Sequence, residues 1–327
     1  MNAKQQKQMM VTLAKCRDLL RLQHKALTTE QSYLPQIRSY IEWLAEHGAE
    51  LPHTRSRVEA YLTHVANRGV AASTQNQAFN AILYLYEQVR GEKLDDIRAL
   101  RAKQPRHHRT ALPKDVTMKL VSGVPDVCGY RTQLVARMLY GMGLRVSEPL
   151  NLRIKDVMVK ESRMVIRGAK GGKDRVVRVP CALMAEIVEQ MKRSRVLFER
   201  DALSGVPVAV PGQIARKYKN APCSWQWFWL FPAHRPCNHP RTGEVVRWRM
   251  HEVNVQRAVK LSARALDLDS LATPHVLRHC YATHVLESGA NVRDVQEVLG
   301  HSHLDTTMNY VHPRSERVLS PLEEVAR

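Results

Sequence analysis

Apolar residues recur at helical spacing through residues 24–90: Tyr33, Ile37, Tyr40, Ile41 and Leu44, then Val58, Tyr61, Leu62 and Val65. A third run follows Ser73, with Phe79, Ile82, Leu83, Leu85 and Tyr86. Gly48, Pro52 and Gly69 break these runs, so a compact helical bundle is predicted, with its aromatic residues in the core. From residue 110 the pattern is again mainly helical, with one exception. Residues 164–168 and 173–180 are rich in Val, Ile and Arg and flank Ala169-Lys170-Gly171-Gly172, which predicts a β-hairpin with Lys170 at its tip. Near the end, Thr273 before Pro274 supplies an N-cap and first helical position, and Gly289 a stop. A short helix over 291–300 should follow, then one starting near Asp305 that places Tyr310 on its second turn. The expectation is a mainly α protein with a small antiparallel sheet or hairpin in its C-terminal part.

A chain of 327 residues suggests about two domains, because a single core stops growing near ~250–300 residues. With 44% hydrophobic residues and no internal repeat, it can bury a core and is not a disordered chain. No stretch approaches the ~18 consecutive apolar residues of a membrane span, and the polar start MNAKQQKQMM is unlike a secretory signal. The six cysteines, Cys16, Cys128, Cys181, Cys223, Cys237 and Cys280, include no CxxC pair and read as reduced thiols. Cys223, His234, Cys237 and His239 lie close together but lack the paired knuckle of a structural zinc site, so no metal is expected. A cytoplasmic protein without a membrane partner is the resulting expectation.

Charge narrows the choice of partner. Lys and Arg outnumber Asp and Glu by 50 to 31, giving +19 and a pI near 10.0, which points to nucleic acid. Residues 98–109 (RALRAKQPRHHR) carry five Arg or Lys and no acid, poor material for a core, and read as an interdomain linker between domains at 1–97 and 110–327. Both flanking parts are basic as well. That distribution suits two domains clamped around a duplex, with Arg101, Lys103, Arg106 and Arg109 on phosphates.

The chemistry-bearing residues are unremarkable singly. His275 and Arg278 are three apart on one helix, His301 follows Gly300, and Arg145 follows a glycine turn where its bland reading is a surface ion pair worth ~0–1 kcal/mol. Their order and spacing are specific. GMGLRVSEPLNL, the hairpin lysine, HVLRHCYATHVLESG, VQEVLGHSHLDTT and NYVH together resemble the tyrosine recombinase (phage integrase) family, over about residues 25–320. The resemblance implies a two-domain DNA clamp, with a helical, SAM-like core-binding domain at 1–97 and a catalytic domain at 110–327. It implies a catalytic set of Arg145, Lys170, His275, Arg278, His301 and the nucleophile Tyr310, with Lys173 as the alternative hairpin lysine. It also implies a homotetramer on synapsed DNA and association with the nucleoid.

What that family does is cleave and rejoin DNA at specific sites. Tyr310 would attack a phosphodiester, leaving a 3′-phosphotyrosine and a free 5′-hydroxyl; a Tyr hydroxyl with a solution pKa of ~10 needs proton removal and a stabilised transition state. Arg145 and Arg278 would grip the non-bridging oxygens, since the guanidinium fork fits phosphate. His301 would add a hydrogen bond to the phosphoryl group, His275 would assist proton movement, and Lys170 would protonate the leaving oxygen. The phosphotyrosyl bond conserves the energy of the broken link, so no cofactor is expected, and no Walker-type loop or carboxylate cluster for two Mg²⁺ ions is seen.

A finer likeness, to the integron integrases that recombine gene cassettes, lies in VPGQIARKYKNAPCSWQWFWLFPAHR and the SPLEEV tail. In that subfamily an insert, here at about 206–233, helps hold bases that protrude from a folded single-stranded cassette site. Trp225, Trp227 and Trp229 alternate as a buried apolar strand would, yet aromatic rings also stack on bases, worth ~1–3 kcal/mol each; both readings stand. Two departures accompany the likeness. Trp248 and Arg249 stand where the subfamily has a His-His pair, and Pro313 follows Tyr310 where an aliphatic residue is usual. Substrates could thus be folded cassette sites or duplex sites. The alternatives are a phage- or Xer-type recombinase of duplex sites, a type IB topoisomerase-like enzyme, which the 24–90 bundle argues against, and a non-catalytic DNA-binding relative.

Overall fold

The computed structural model describes residues 1–48, 51, 53–94, 111–168, 174–268 and 272–300. The chain divides into two compact units, residues 1–107 and 108–327. The basic segment at 98–109, with Arg101, Lys103, Arg106 and Arg109, lies outside the described residues.

The first unit is helical: α1 (Ala3–Leu22), α2 (Leu27–His47), α3 (Thr54–Asn67) and α4 (Ala72–Tyr84), the last running on into a π-turn over Leu85–Arg90. Helix α1 was not among the elements expected from sequence. Its inward residues, Met9, Leu13, Cys16 and Leu20, are spaced by three and four positions, but polar neighbours dilute the pattern. A capping box starts it: the Asn2 side chain accepts from the Gln5 backbone N–H and the Gln5 side chain from that of Asn2, both at 2.9 Å. The expected aromatic core is present. Tyr40 and Tyr61 meet edge to face at 5.0 Å, and the Tyr40 and Tyr86 hydroxyls share a buried hydrogen bond of 2.8 Å. Burial, with Tyr86 alongside, pushes the Tyr40 hydroxyl far above its ordinary pKa, so it stays a neutral partner in that bond.

In the second unit, α6 (Thr132–Met142) is the central rod, packed against α5 (Lys114–Ser122), α8 (Cys181–Leu203), α10 (Glu252–Arg264) and α11 (Pro274–Glu287). Short helix α7 (Ser147–Asn151) follows α6, and α12 (Val292–Leu299) closes the described part. The expected hairpin exists as β2 (Arg163–Ile166) and β3 (Arg175–Arg178), paired antiparallel with Val165 opposite Val176. A two-residue strand β1 (Val157–Met158), too short to show a period, completes the sheet in the order β1-β2-β3. Thr273 is the N-cap of α11 and Pro274 its first residue, and Gly289 and Gly300 adopt left-handed φ at 96° and 63° just past α11 and α12. Leu112 is clamped at the start of this unit. Its N–H donates to the Cys280 thiol at 3.3 Å, while its carbonyl accepts from His284 Nε2 at 2.9 Å. The Tyr140 hydroxyl and His284 Nδ1 share a further hydrogen bond of 2.9 Å.

Residues 206–233 carry no strand of the kind the Trp alternation suggested. They contain α9 (Gly212–Lys217) and 3₁₀ turns at Ala221–Cys223 and Trp225–Trp227, while Phe228, Trp229, Leu230 and Phe231 enter the core. Two buried arginines fasten this segment. Arg247 pairs bidentately with Asp201, with Nε to Oδ2 at 2.6 Å, and donates to the Ala233 carbonyl at 2.7 Å. Arg153 donates to the Ala209 and Trp227 carbonyls and lies 3.7 Å from the Trp229 ring centroid, burial having pushed its pKa down to about 10. Strand β4 (Cys237–Asn238) pairs with β5 (Val245–Val246) just beyond. No helix among the described residues is long and apolar enough to cross a membrane.

Removing one partner of a buried ion pair leaves an uncompensated charge, typically ~3–5 kcal/mol. Asp201→Ala should therefore lower the unfolding free energy of the second unit by that amount, read as a lower urea midpoint at unchanged slope; an unchanged midpoint would show that Arg247 finds another anion.

Candidate functional site

The site grows from the C-terminal end of α6. There Gly143 turns the chain with φ of +63°, a conformation that L side chains rarely adopt, and a Cβ at this position would sit 2.4 Å from Cδ1 of Tyr281. The turn places Arg145 directly before α7. In the first turn of α7, the Glu148 carboxylate accepts from the Arg145 backbone N–H at 2.8 Å and from Arg145 Nη1 at 2.9 Å.

Two more arginines converge on the same carboxylate. Arg175, from β3, grips it with both terminal nitrogens, Nη1 to Oε1 at 2.9 Å and Nη2 to Oε2 at 2.7 Å. Arg278, from the second turn of α11, brings Nη1 to 3.9 Å from Oε2. The same three guanidinium groups also donate to the last carbonyls of α12. Arg175 Nε reaches the Val298 oxygen at 2.8 Å, Arg278 Nη2 the Leu299 oxygen at 2.6 Å, and Arg145 Nη2 the Gly300 oxygen at 3.3 Å. A helix leaves its last carbonyls without partners and carries partial negative charge there, so α12 ends where cations are favoured. Arg278 closes the ring through a 2.7 Å bond to the Gly143 carbonyl.

This arrangement overturns the surface-ion-pair reading of Arg145. Glu148 is only 7% exposed and Arg278 1%. Burial alone would raise the Glu148 pKa, but hydrogen bonds and charge from Arg175, the Arg145 N–H and Arg278 outweigh it and hold the carboxyl below the ordinary range. Sequence reasoning gave Glu148 and Arg175 no role. The available signal was a Glu three residues after Arg145, with an Arg at the start of the second hairpin strand.

His275 and Arg278 differ in depth. His275, in the first turn of α11, is exposed, and Arg278, one turn on, is buried. Lys170, Lys173, His301, Tyr310 and Pro313 lie outside the described residues. Tyr281 is half-buried, and burial pushes its hydroxyl pKa up against a smaller opposing effect of Arg278. Trp225, Trp227 and Trp248 are half-buried against the core, so each ring presents both a packed and an accessible part. Trp225 stands 5.5 Å from the Phe198 ring, Trp227 has Lys155 Nζ 3.0 Å from its centroid, and Trp248 meets His239 at 5.2 Å. Arg249 is half-buried beside Glu252 at 3.5 Å.

Of the four zinc candidates, Cys223 and Cys237 are exposed free thiols and the two histidines make other contacts. His239 Nδ1 accepts from the Arg241 and Thr242 N–H groups, and His234 stacks on Tyr130 at 3.9 Å. Among the described residues no group of three or more His, Cys, Asp or Glu is placed to hold a metal ion.

A phage integrase family model matches residues 111–317, and a phage integrase N-terminal SAM-like domain model matches residues 13–96. An integrase/recombinase of Escherichia coli is 38% identical over 304 residues, spanning 92% of this chain and 88% of its own length. The tyrosine recombinase XerD of Agrobacterium fabrum is 30% identical over 310 residues, 90% of this chain and 86% of its own. Among solved structures, the Tn1549 transposon integrase in complex with transposon right end DNA matches with a TM-score of 0.61 at 15% identity, covering 97% of this chain and 99% of that one. At that identity the likeness is one of fold.

Because the folded-state pKa of Glu148 is depressed, its stabilising contribution is complete above the unfolded value of ~4.3 and is lost as pH falls through the folded value. Acid titration of unfolding free energy should show that loss in the wild type, and Glu148→Gln should flatten the curve below about pH 4.3. An identical acid limb in the two proteins would remove Glu148 from the charge linkage.

Proposed function

The chain belongs to the phage integrase family of tyrosine recombinases, and on that premise we propose that it cleaves and rejoins DNA at specific sites, using Tyr310 as nucleophile and Arg145 and Arg278 as the phosphate clamp. The observation that carries this reading is the convergence of Arg145 and Arg278, 133 positions apart in sequence, on one carboxylate and one helix end. A positively charged, pre-oriented pair of guanidinium groups is what a developing phosphorane dianion requires.

In the proposed step the Tyr310 oxygen forms a bond to phosphorus as the bond from phosphorus to the 5′-oxygen breaks. The phenolic proton leaves with help from His275, the 5′-oxygen gains a proton from Lys170, and His301 donates to a non-bridging oxygen. Rejoining runs the same steps backwards from a 5′-hydroxyl. Tyr310→Phe should leave DNA affinity near wild type and abolish the covalent adduct on a nicked suicide substrate, read on a denaturing gel. Adduct formation by that variant would overturn the assignment of the nucleophile.

The finer proposal is recombination of integron gene cassettes. It is supported by the 206–233 segment, in which none of the residues of α9 is buried while Arg153 and Arg247 anchor the chain around it. Trp225, Trp227, Trp248 and Arg249 are the proposed contacts to displaced bases, and Arg101, Lys103, Arg106 and Arg109 the proposed phosphate contacts. A Xer-type recombinase of duplex sites is the second reading, favoured by the match to the XerD relative over most of the chain. A cassette-like hairpin with protruding bases should bind more tightly than the same hairpin without them, by up to the ~1–3 kcal/mol of one stacked base. Trp227→Ala should erase that preference at unchanged duplex affinity. Equal wild-type affinity for both hairpins at matched salt would select the duplex reading.

A further inference from the structure

Two arginines that bind a phosphodiester cannot share their carboxylate with nothing else nearby. An ionised Glu148 within hydrogen-bond reach of Arg145 would repel the incoming phosphate and compete for the same guanidinium N–H groups. The third arginine resolves this conflict. Arg175 engages both carboxylate oxygens through its two terminal nitrogens and spends its Nε on the Val298 carbonyl, so all three nitrogens point inward. Its side chain is 9% exposed, against 25% for Arg145. Around this one acid Arg145 keeps part of its surface open, whereas Arg175 and Arg278 are covered; of these two, only Arg175 holds the carboxylate through both of its terminal nitrogens, Arg278 Nη1 standing 3.9 Å away.

Resting on the reading of Arg145 and Arg278 as the phosphate clamp, we propose that Arg175 is a positioning residue whose task is to neutralise Glu148, so that this carboxylate can orient Arg145 without repelling the DNA phosphate. Glu148 supplies direction and Arg175 cancels its charge. Without Glu148 three guanidinium groups would crowd one helix end, and without Arg175 the clamp would carry a buried anion facing its own substrate. Arg175 also ties β3 to the end of α12 through Val298, so it sets the spacing of the two elements as well as their charge. Gly300 permits this approach, since a Cβ there would lie 3.1 Å from Arg175 Nη1.

The test is a double-mutant cycle in the full-length protein, read as the rate of covalent adduct formation on a nicked suicide substrate. Arg175→Gln should slow cleavage by on the order of 10²-fold, the scale of a misplaced catalytic group. Adding Glu148→Gln to that variant should recover at least about tenfold, because the uncompensated carboxylate is gone. DNA binding should weaken with an unchanged log-log salt slope, whereas an arginine that touched phosphate would lower the slope by ~0.9 on its removal. Should Arg175→Gln fail to fold, Arg175→Lys keeps the charge and loses the fork, and its rate should fall between wild type and the double variant. A double variant no faster than Arg175→Gln at comparable thermal stability, or a salt slope reduced by about one, would overturn the proposal. A wild-type protein that forms no adduct would sink the recombinase mechanism itself, and the two failures are separable.

Discussion

Burying a carboxylate is costly unless cations and donors meet it, and the second unit is organised around one such carboxylate, that of Glu148. Three arginines from three different elements, the turn after α6, strand β3 and helix α11, arrive at its two oxygens. Each of them also donates to one of three successive carbonyls at the end of α12. Neither half of this arrangement is stable alone. The arginines would be desolvated without an anion, and the helix end would leave its carbonyls unsatisfied. Interlocking them fixes the relative positions of the α6 turn, strand β3 and helices α11 and α12 with a few charge-assisted bonds.

The same chemistry is used elsewhere for a different end. Arg247 with Asp201 and Arg153 with the Ala209 and Trp227 carbonyls are also buried guanidinium sites, and they hold the 206–233 segment on the core. These arginines have their donors turned to the protein interior, and Arg247 is 1% exposed. At the candidate site the ring of partners is left open on the Arg145 side. That opening separates a fastening from a clamp that can receive a ligand.

Much of the local structure was legible along the chain. Helical periodicity and glycine punctuation marked the bundle in residues 24–90, the Val-rich pair around Gly171 and Gly172 marked the hairpin, and Thr273-Pro274 and Gly289 marked the limits of α11, because caps and turns act over a few residues. The ordered motifs around Arg145 and Arg278 identified the family. Helix α1 escaped because its inward positions are diluted by polar neighbours, and β1 because two residues show no period. Sequence placed Arg145 in the catalytic set without showing what holds it, and left the tryptophans open between a buried strand and base-stacking rings. Tertiary structure alone supplied the surroundings: burial of Glu148 depends on Arg175 and Arg278 arriving from distant positions, and Trp225, Trp227 and Trp248 are half-buried, not strand residues, because Phe198, Lys155 and His239 pack against them. Spacing is a local property and survives in one dimension, whereas desolvation is set by what lies on the other side of a residue, which only the folded chain supplies.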